Sequence, residues 1–123
     1  MPLTNSELRA RVEDWIEAWN TRDLDRIMEH YSCNVEFEAN TVVRRWQKCD
    51  GKLRGTAELR DHFRRGLELA PTLHFEIEEI LSAPSGYAVL YRRENGNRVL
   101  DVVELDPEGK AHRVKAFYAG EQK

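Results

Sequence analysis

Asp101 stands between Leu100 and Val102, in a run that otherwise suits a buried strand. Keeping a carboxyl ionised in such company is costly, so its pKa is expected to rise until the group is protonated near neutral pH. A protonated carboxyl keeps an O–H that can donate a hydrogen bond. The competing reading is a structural carboxylate paired with Arg92 or another basic group, and both stand at this stage. Tyr118 and Tyr31 carry hydroxyls that could serve the same site, although tyrosine rings in a core with the hydroxyl at its edge are the commoner arrangement. His30, beside Tyr31, is the histidine to watch for proton exchange, with a helix-end or surface role as its bland counterpart. His62, His74 and His112 are scattered, with no second ligand at helical or strand spacing, so no metal site is expected. Nucleophile motifs and glycine-rich phosphate loops are absent, and no cofactor is expected.

The apolar partners of such a site are Trp15, Trp19, Phe37, Phe63 and Val103, which could form the wall of a pocket. At helical spacing, aromatic residues are more often simply core. Arg44, Arg45, Lys48, Lys52 and Arg54 surround Trp46. Cations with an interleaved aromatic can bind single-stranded nucleic acid. Here they read better as a solvated loop beside a cavity mouth, where they could attract an anionic small molecule.

Elements must hold these residues. Leu8, Val12, Trp15, Ile16 and Trp19 recur on one face of a helix, and Thr4 with Glu7 suits a capping box. Leu24, Ile27, Met28 and Tyr31 give a short second stripe. Val35, Phe37 and Ala39 alternate with polar residues as a half-buried strand does. Residues 41–55 lack a regular period. A third helix starts near Thr56, carries Leu59, Phe63 and Leu67, and ends at Pro71. Strands follow over residues 74–80, 87–93, 98–105 and 112–119, with a turn at Asp106-Pro107-Glu108-Gly109.

Asn95-Gly96 predicts a two-residue hairpin turn, which pairs Glu94 with Asn97. Leu90 then lies opposite Asp101 and Ala88 opposite Val103, so one face carries Ala88, Leu90, Arg92, Val99, Asp101, Val103 and Leu105. The other carries Tyr87, Val89, Tyr91, Arg93, Arg98, Leu100, Val102 and Glu104; both faces are partly apolar, which suggests a homodimer through the outer sheet face. Val114, Ala116 and Tyr118 share one face of the last strand.

The totals agree with one domain over residues 1–123. Hydrophobic residues make up 41% of the chain, enough for one core, and 19 basic against 22 acidic residues leave a net charge of -3. That balance gives no reason to expect nucleic acid or a membrane as partner. The N-terminus has no signal-peptide pattern and no apolar run approaches a membrane span, so a cytoplasmic location is expected. Cys33 and Cys49 lack metal-type spacing and leave one disulfide open.

The stretch from Val12 to Asn20 followed by Thr21-Arg22-Asp23-Leu24-Asp25, then Tyr31, then Asn34-Val35-Glu36-Phe37, carries a recognisable order. It continues with Gly55-Thr56-Ala57-Glu58-Leu59-Arg60-Asp61-His62-Phe63, Leu100-Asp101-Val102-Val103-Glu104-Leu105, and Val114-Lys115-Ala116-Phe117-Tyr118. Together these resemble the nuclear transport factor 2-like superfamily, in its SnoaL-like or ketosteroid-isomerase-like branch. The resemblance implies an α+β cone: a curved antiparallel or mixed β-sheet and three helices in the N-terminal half, enclosing a cavity. It also implies dimers through the outer sheet face. Asp101 matches the protonated aspartic acid of ketosteroid isomerases. Trp15 stands where that group has a tyrosine, and Ala39, next to Asn40, where it has the carboxylate base. Val99-Leu100-Asp101 lacks the Arg-x-Asp of epoxide hydrolases. The expectation is a small apolar ligand bound near Asp101, with isomerase, cyclase or hydratase chemistry, or else a non-catalytic interaction module with a filled cavity.

Overall fold

The computed structural model describes residues 3–119. Helix α1 (Asn5–Asn20) begins with the capping box: Glu7 N–H donates to Thr4 Oγ1 at 3.2 Å, and Thr4 N–H donates to Glu7 Oε1 at 2.9 Å. Its buried face is Leu8, Val12, Trp15, Ile16, Ala18 and Trp19. Helix α2 (Leu24–Met28) is capped by Asp23, whose carboxylate accepts from Arg26 N–H. Tyr31 does not continue that helix. It opens strand β1 (Tyr31–Glu38), along which Val35 and Phe37 turn inward.

Residues 41–55 hold two elements that periodicity did not reveal: helix α3 (Asn40–Trp46) and strand β2 (Lys52–Arg54). There are therefore four helices among the described residues, not three. Helix α3 has two turns and buries only Val42, so it has no room to display a repeating stripe. Gln47 closes it in the left-handed region at φ 56. Helix α4 (Thr56–Leu69) buries Leu59, His62, Phe63 and Leu67 and stops at Ala70, before Pro71. The guanidinium of Arg22 donates to the carbonyls of Leu67 and Ala70, tying the α1–α2 link to the last turn of α4.

Strands β3 (Phe75–Ala83), β4 (Gly86–Arg93), β5 (Arg98–Leu105) and β6 (Ala111–Tyr118) complete a six-stranded mixed sheet in the order β2-β1-β6-β5-β4-β3. Only β1 and β6 run parallel. Register shifts interrupt β3, β5 and β1, the kind of irregularity that bends a sheet. Helices α1 and α4 cover the inner face, where Trp15 meets Tyr91 edge-on at 5.5 Å and Trp19 meets Phe63 at 4.9 Å. Each such aromatic ring removes about 150–250 Å² from water, so these contacts form the heaviest part of the core.

The β4–β5 register corrects the sequence-based expectation. Arg93 N–H donates to Asn97 O at 2.8 Å and Gly96 N–H to Arg93 O at 2.9 Å, so the loop has three residues, with Gly96 at φ 88. That is a turn closed by a left-handed glycine, not the two-residue turn that Asn95-Gly96 suggested. The one-residue slip moves all of β4 to the opposite face. Asp101 pairs with Val89, Val103 with Tyr87, and Leu100 with Leu90. Tyr87, Val89 and Tyr91 are buried inward beside Asp101, whereas Ala88, Leu90 and Arg92 lie outward with Leu100 and Val102. Among the described residues no helix is long and apolar enough to cross a membrane, and Cys33 and Cys49 are exposed and unbonded.

The sheet also demands a glycine at the start of β4. A Cβ on Gly86 would lie 1.8 Å from the backbone oxygen of Val103, whereas one on Gly96 would meet nothing within 4 Å and suffer only the left-handed φ. Gly86→Ala is therefore expected to cost about 3 kcal/mol, the upper end for an overpacked site. Gly96→Ala should cost roughly 1 kcal/mol. Urea unfolding of the two variants checks the ranking, and an equal or milder loss at Gly86 would contradict this β4–β5 packing.

Candidate functional site

Between the concave sheet face and helices α1, α3 and α4 lies a cavity of about 460 Å³. Its walls are aromatic: Trp15 and Trp19 from α1, Tyr31 and Phe37 from β1, Phe63 from α4, Phe75 from β3 and Tyr91 from β4. Ala116 and Tyr118 of β6 and Asp101 of β5 close the inner side. The rim is the end of α4 and the hairpin loop, with Pro71, Glu94 and Asn95, together with Arg44 on α3.

Asp101 is 4% exposed and forms no ion pair among the described residues. Among the described residues its one polar partner is Tyr91, whose hydroxyl donates to Oδ1 at 3.3 Å. Burial raises its pKa from 3.8 to about 7, against the smaller lowering effect of Tyr91. The suggested partner Arg92 is exposed on the outer face, where it and Arg98 hold Glu78. Asp101 and Glu94 are the carboxylates of the cavity, and Glu94 sits on the rim with Arg93 at 3.0 Å. Ala39 is buried ahead of α3, and Asn40 is exposed on it.

Two indole groups orient a tyrosine hydroxyl and an imidazole that line the same cavity. Trp15 Nε1 donates to Tyr31 Oη at 3.0 Å. The phenol oxygen accepts, so its own O–H is left to donate elsewhere. Burial pushes the Tyr31 pKa well above 10, so that proton stays in place. Trp46 Nε1 donates to His62 Nδ1 at 2.9 Å. An indole N–H cannot accept, so Nδ1 is the unprotonated nitrogen and neutral His62 carries its proton on Nε2, 3.3 Å from Thr41 Oγ1. Burial, with the nearby Arg45 charge, lowers the His62 pKa to about 3 and keeps the ring neutral. Thr41 Oγ1 lies 3.4 Å from Tyr118 Oη.

The residues named from the sequence divide accordingly. Asp101, Trp15, Trp19, Tyr31, Phe37, Phe63, Ala116 and Tyr118 meet in the cavity. His30 does not line this cavity; its Nε2 lies 2.9 Å from Asp14 Oδ2, and with Val103, Tyr31 and Asp101 it borders a second void of about 10 Å³. Trp46 is 39% exposed and reaches the site only through His62. Leu90 and Arg92 are on the other side of the sheet, because the three-residue turn put them there. Thr41, His62 and Tyr91 were missed as lining residues, and Arg45 was read as part of a solvated loop beside the mouth. His62 sits three residues after Leu59 on the buried stripe of α4, a signal that was present in the spacing. Among the described residues no three His, Cys, Asp or Glu side chains converge on a metal position.

The Asp101 carboxyl should leave a mark on stability. Below pH 4 folded and unfolded chains both hold its proton. Between pH 4 and 7 the unfolded chain releases it first, and stability falls by up to about 1.4 kcal/mol per pH unit. Above pH 7 both states are ionised and the loss levels off. Asp101→Asn does not titrate, so its stability relative to the parent protein should climb by roughly 2–4 kcal/mol from pH 4 to 7 and then stay flat. Denaturant unfolding of both proteins at several pH values measures this. A difference independent of pH would contradict a buried protonated carboxyl.

The same architecture recurs in solved structures. A SnoaL-like protein of unknown function from Burkholderia thailandensis superposes with a TM-score of 0.93 at 32% identity, covering 98% of this chain and 100% of its own. The epoxide hydrolase/cyclase-like enzyme SalBIII, of pyran ring formation in the polyether salinomycin, gives 0.69 at 21%, covering 93% and 92%. An NTF-2 like protein of unknown function from Burkholderia xenovorans gives 0.71 at 13%, covering 94% and 85%. The two more distant likenesses are of fold alone. No curated protein matches the chain in sequence. The SnoaL-like domain model matches residues 12–119, and with the six-stranded mixed sheet and helices described above, the chain belongs to the SnoaL-like domain family of nuclear transport factor 2-like folds.

Proposed function

We propose that the cavity binds a small apolar molecule carrying a carbonyl or similar oxygen, and that protonated Asp101 donates a hydrogen bond to that oxygen. The observation that carries this reading is the buried carboxyl of Asp101, without an ion-pair partner among the described residues, in a cavity lined by Trp15, Tyr31 and Tyr91. A cavity of about 460 Å³ suits a flat molecule of two or three rings. A preorganised donor aimed at developing negative charge can contribute about 2.7–4 kcal/mol to a transition state. Tyr31, with its O–H left free by Trp15, and Tyr118 are the hydroxyls that would assist. His30 is paired with Asp14 outside the cavity and is not part of this proposal. With no second unpaired carboxylate among the lining residues, the arrangement favours polarising one oxygen, as an isomerase, cyclase or hydratase step requires, over shuttling a proton between two carboxylates.

A second reading, a non-catalytic homodimeric module, draws on the outer sheet face. Leu81 and Phe117 are each 53% exposed there and Val102 39%, near half-buried Leu90 and Leu100. A patch of this kind marks an interface more often than a bare surface.

The test uses a neutral ketone, 2-acetylnaphthalene, titrated by calorimetry from pH 5 to 9. Only the protonated carboxyl can donate, so affinity should be constant below pH 7 and weaken about tenfold per unit well above it. In Asp101→Asn that pH dependence should vanish. Binding that ignores pH in the parent protein would remove Asp101 from the role. No binding at any pH, with a stable dimer by sedimentation, would favour the interaction module.

A further inference from the structure

The chain is acidic overall, yet the cavity mouth is not. Three arginines line the cavity: Arg44, Arg45 and Arg93. Arg93 is neutralised by Glu94. Arg44 and Arg45 have no carboxylate within ion-pair distance among the described residues, whereas most arginines of the chain do.

Arg45 is also held in a defined pose. Its Nη1 donates to the carbonyl oxygen of His62 at 3.0 Å and lies 3.3 Å from His62 Nδ1, the nitrogen already engaged by Trp46. The guanidinium crosses α4 at Gly66, where an added Cβ would touch Nη1 at 3.5 Å. Its Nε and Nη2 have no hydrogen-bond partner among the described residues, so part of the planar fork stays unused. Burial and the charges of Arg65 and Arg44 oppose the cation, leaving an uncompensated positive group that an anion would relieve.

Building on the ligand site proposed above, we infer that its natural ligand is an anion: a flat apolar molecule with a carboxylate gripped by Arg45 at the mouth and an oxygen acceptor directed to Asp101. A guanidinium favours a carboxylate because two parallel N–H groups match its two oxygens. Arg44, exposed on the next position of α3, adds attraction rather than a fixed contact. The aromatic wall between the two ends would hold the rings.

The experiment compares 6-acetyl-2-naphthoate with 6-acetyl-2-naphthamide, which share shape and ketone and differ in charge. Calorimetric titration at pH 6 leaves Asp101 largely protonated and the naphthoate ionised. In the parent protein the naphthoate should bind at least about tenfold more tightly than the amide, and added salt should narrow that gap. In Arg45→Gln, checked for folding by its thermal transition, the two compounds should bind alike. Arg44→Gln should narrow the gap by a smaller factor. Equal affinity of the two compounds in the parent protein, or a preference that survives Arg45→Gln, would overturn the anion assignment and leave the neutral-ligand site standing. Failure of both compounds to bind the parent protein would overturn both readings.

Discussion

Three residues of turn, Glu94, Asn95 and Gly96, decide which half of β4 faces the core. A strand alternates its side chains with a period of two, so the turn length alone determines whether Tyr91 or Leu90 stands beside Asp101. With Gly96 in the left-handed region, Tyr87, Val89 and Tyr91 point inward and the aromatic cavity closes around the carboxyl. Under the alternative pairing Arg92 would share that face and could neutralise Asp101. The chemical character of the site therefore rests on a backbone constraint some distance from the carboxyl itself.

Once the carboxyl is enclosed, its surroundings contain neutral donors rather than compensating charge. Trp15 sets Tyr31, Trp46 sets His62, and Tyr91 donates to Asp101 directly. Each indole N–H can only donate, so each makes its partner's hydrogen-bonding direction definite. His62 stays neutral down to about pH 3 and Tyr31 resists ionisation, leaving Asp101 as the cavity's acid that changes state near neutrality. The cations are kept to the mouth, where Arg45 braces against the His62 carbonyl. Arg45 and Asp101 thus line one cavity without pairing with each other.

Much of this was legible in the residues. The capped first helix, the alternation of Val35 and Phe37, and the turn at Gly109 announced the frame, and Asp101 between Leu100 and Val102 announced the carboxyl. Helix α3 was hidden because two turns with one buried residue leave no period to read. The pairing of β4 was misread because Asn95-Gly96 suits two turn types that differ by one residue, and only long-range packing chooses between them. That single ambiguity assigned Leu90 and Arg92 to the wrong face and concealed Tyr91. His62 was discounted as a scattered histidine, since its value lies in contacts with Trp46, Arg45 and Thr41 on a helix the sequence did not disclose.

Burial lets Asp101 keep its proton up to about neutral pH inside the cavity. Carbon-13 NMR of aspartate-labelled protein, with Asp101→Asn assigning the resonance, reads that proton directly. The account predicts that the Asp101 carboxyl titrates with a midpoint near 7. A midpoint near 4, the ordinary aspartate range, would mean that the carboxyl is ionised in the folded protein and cannot be the donor.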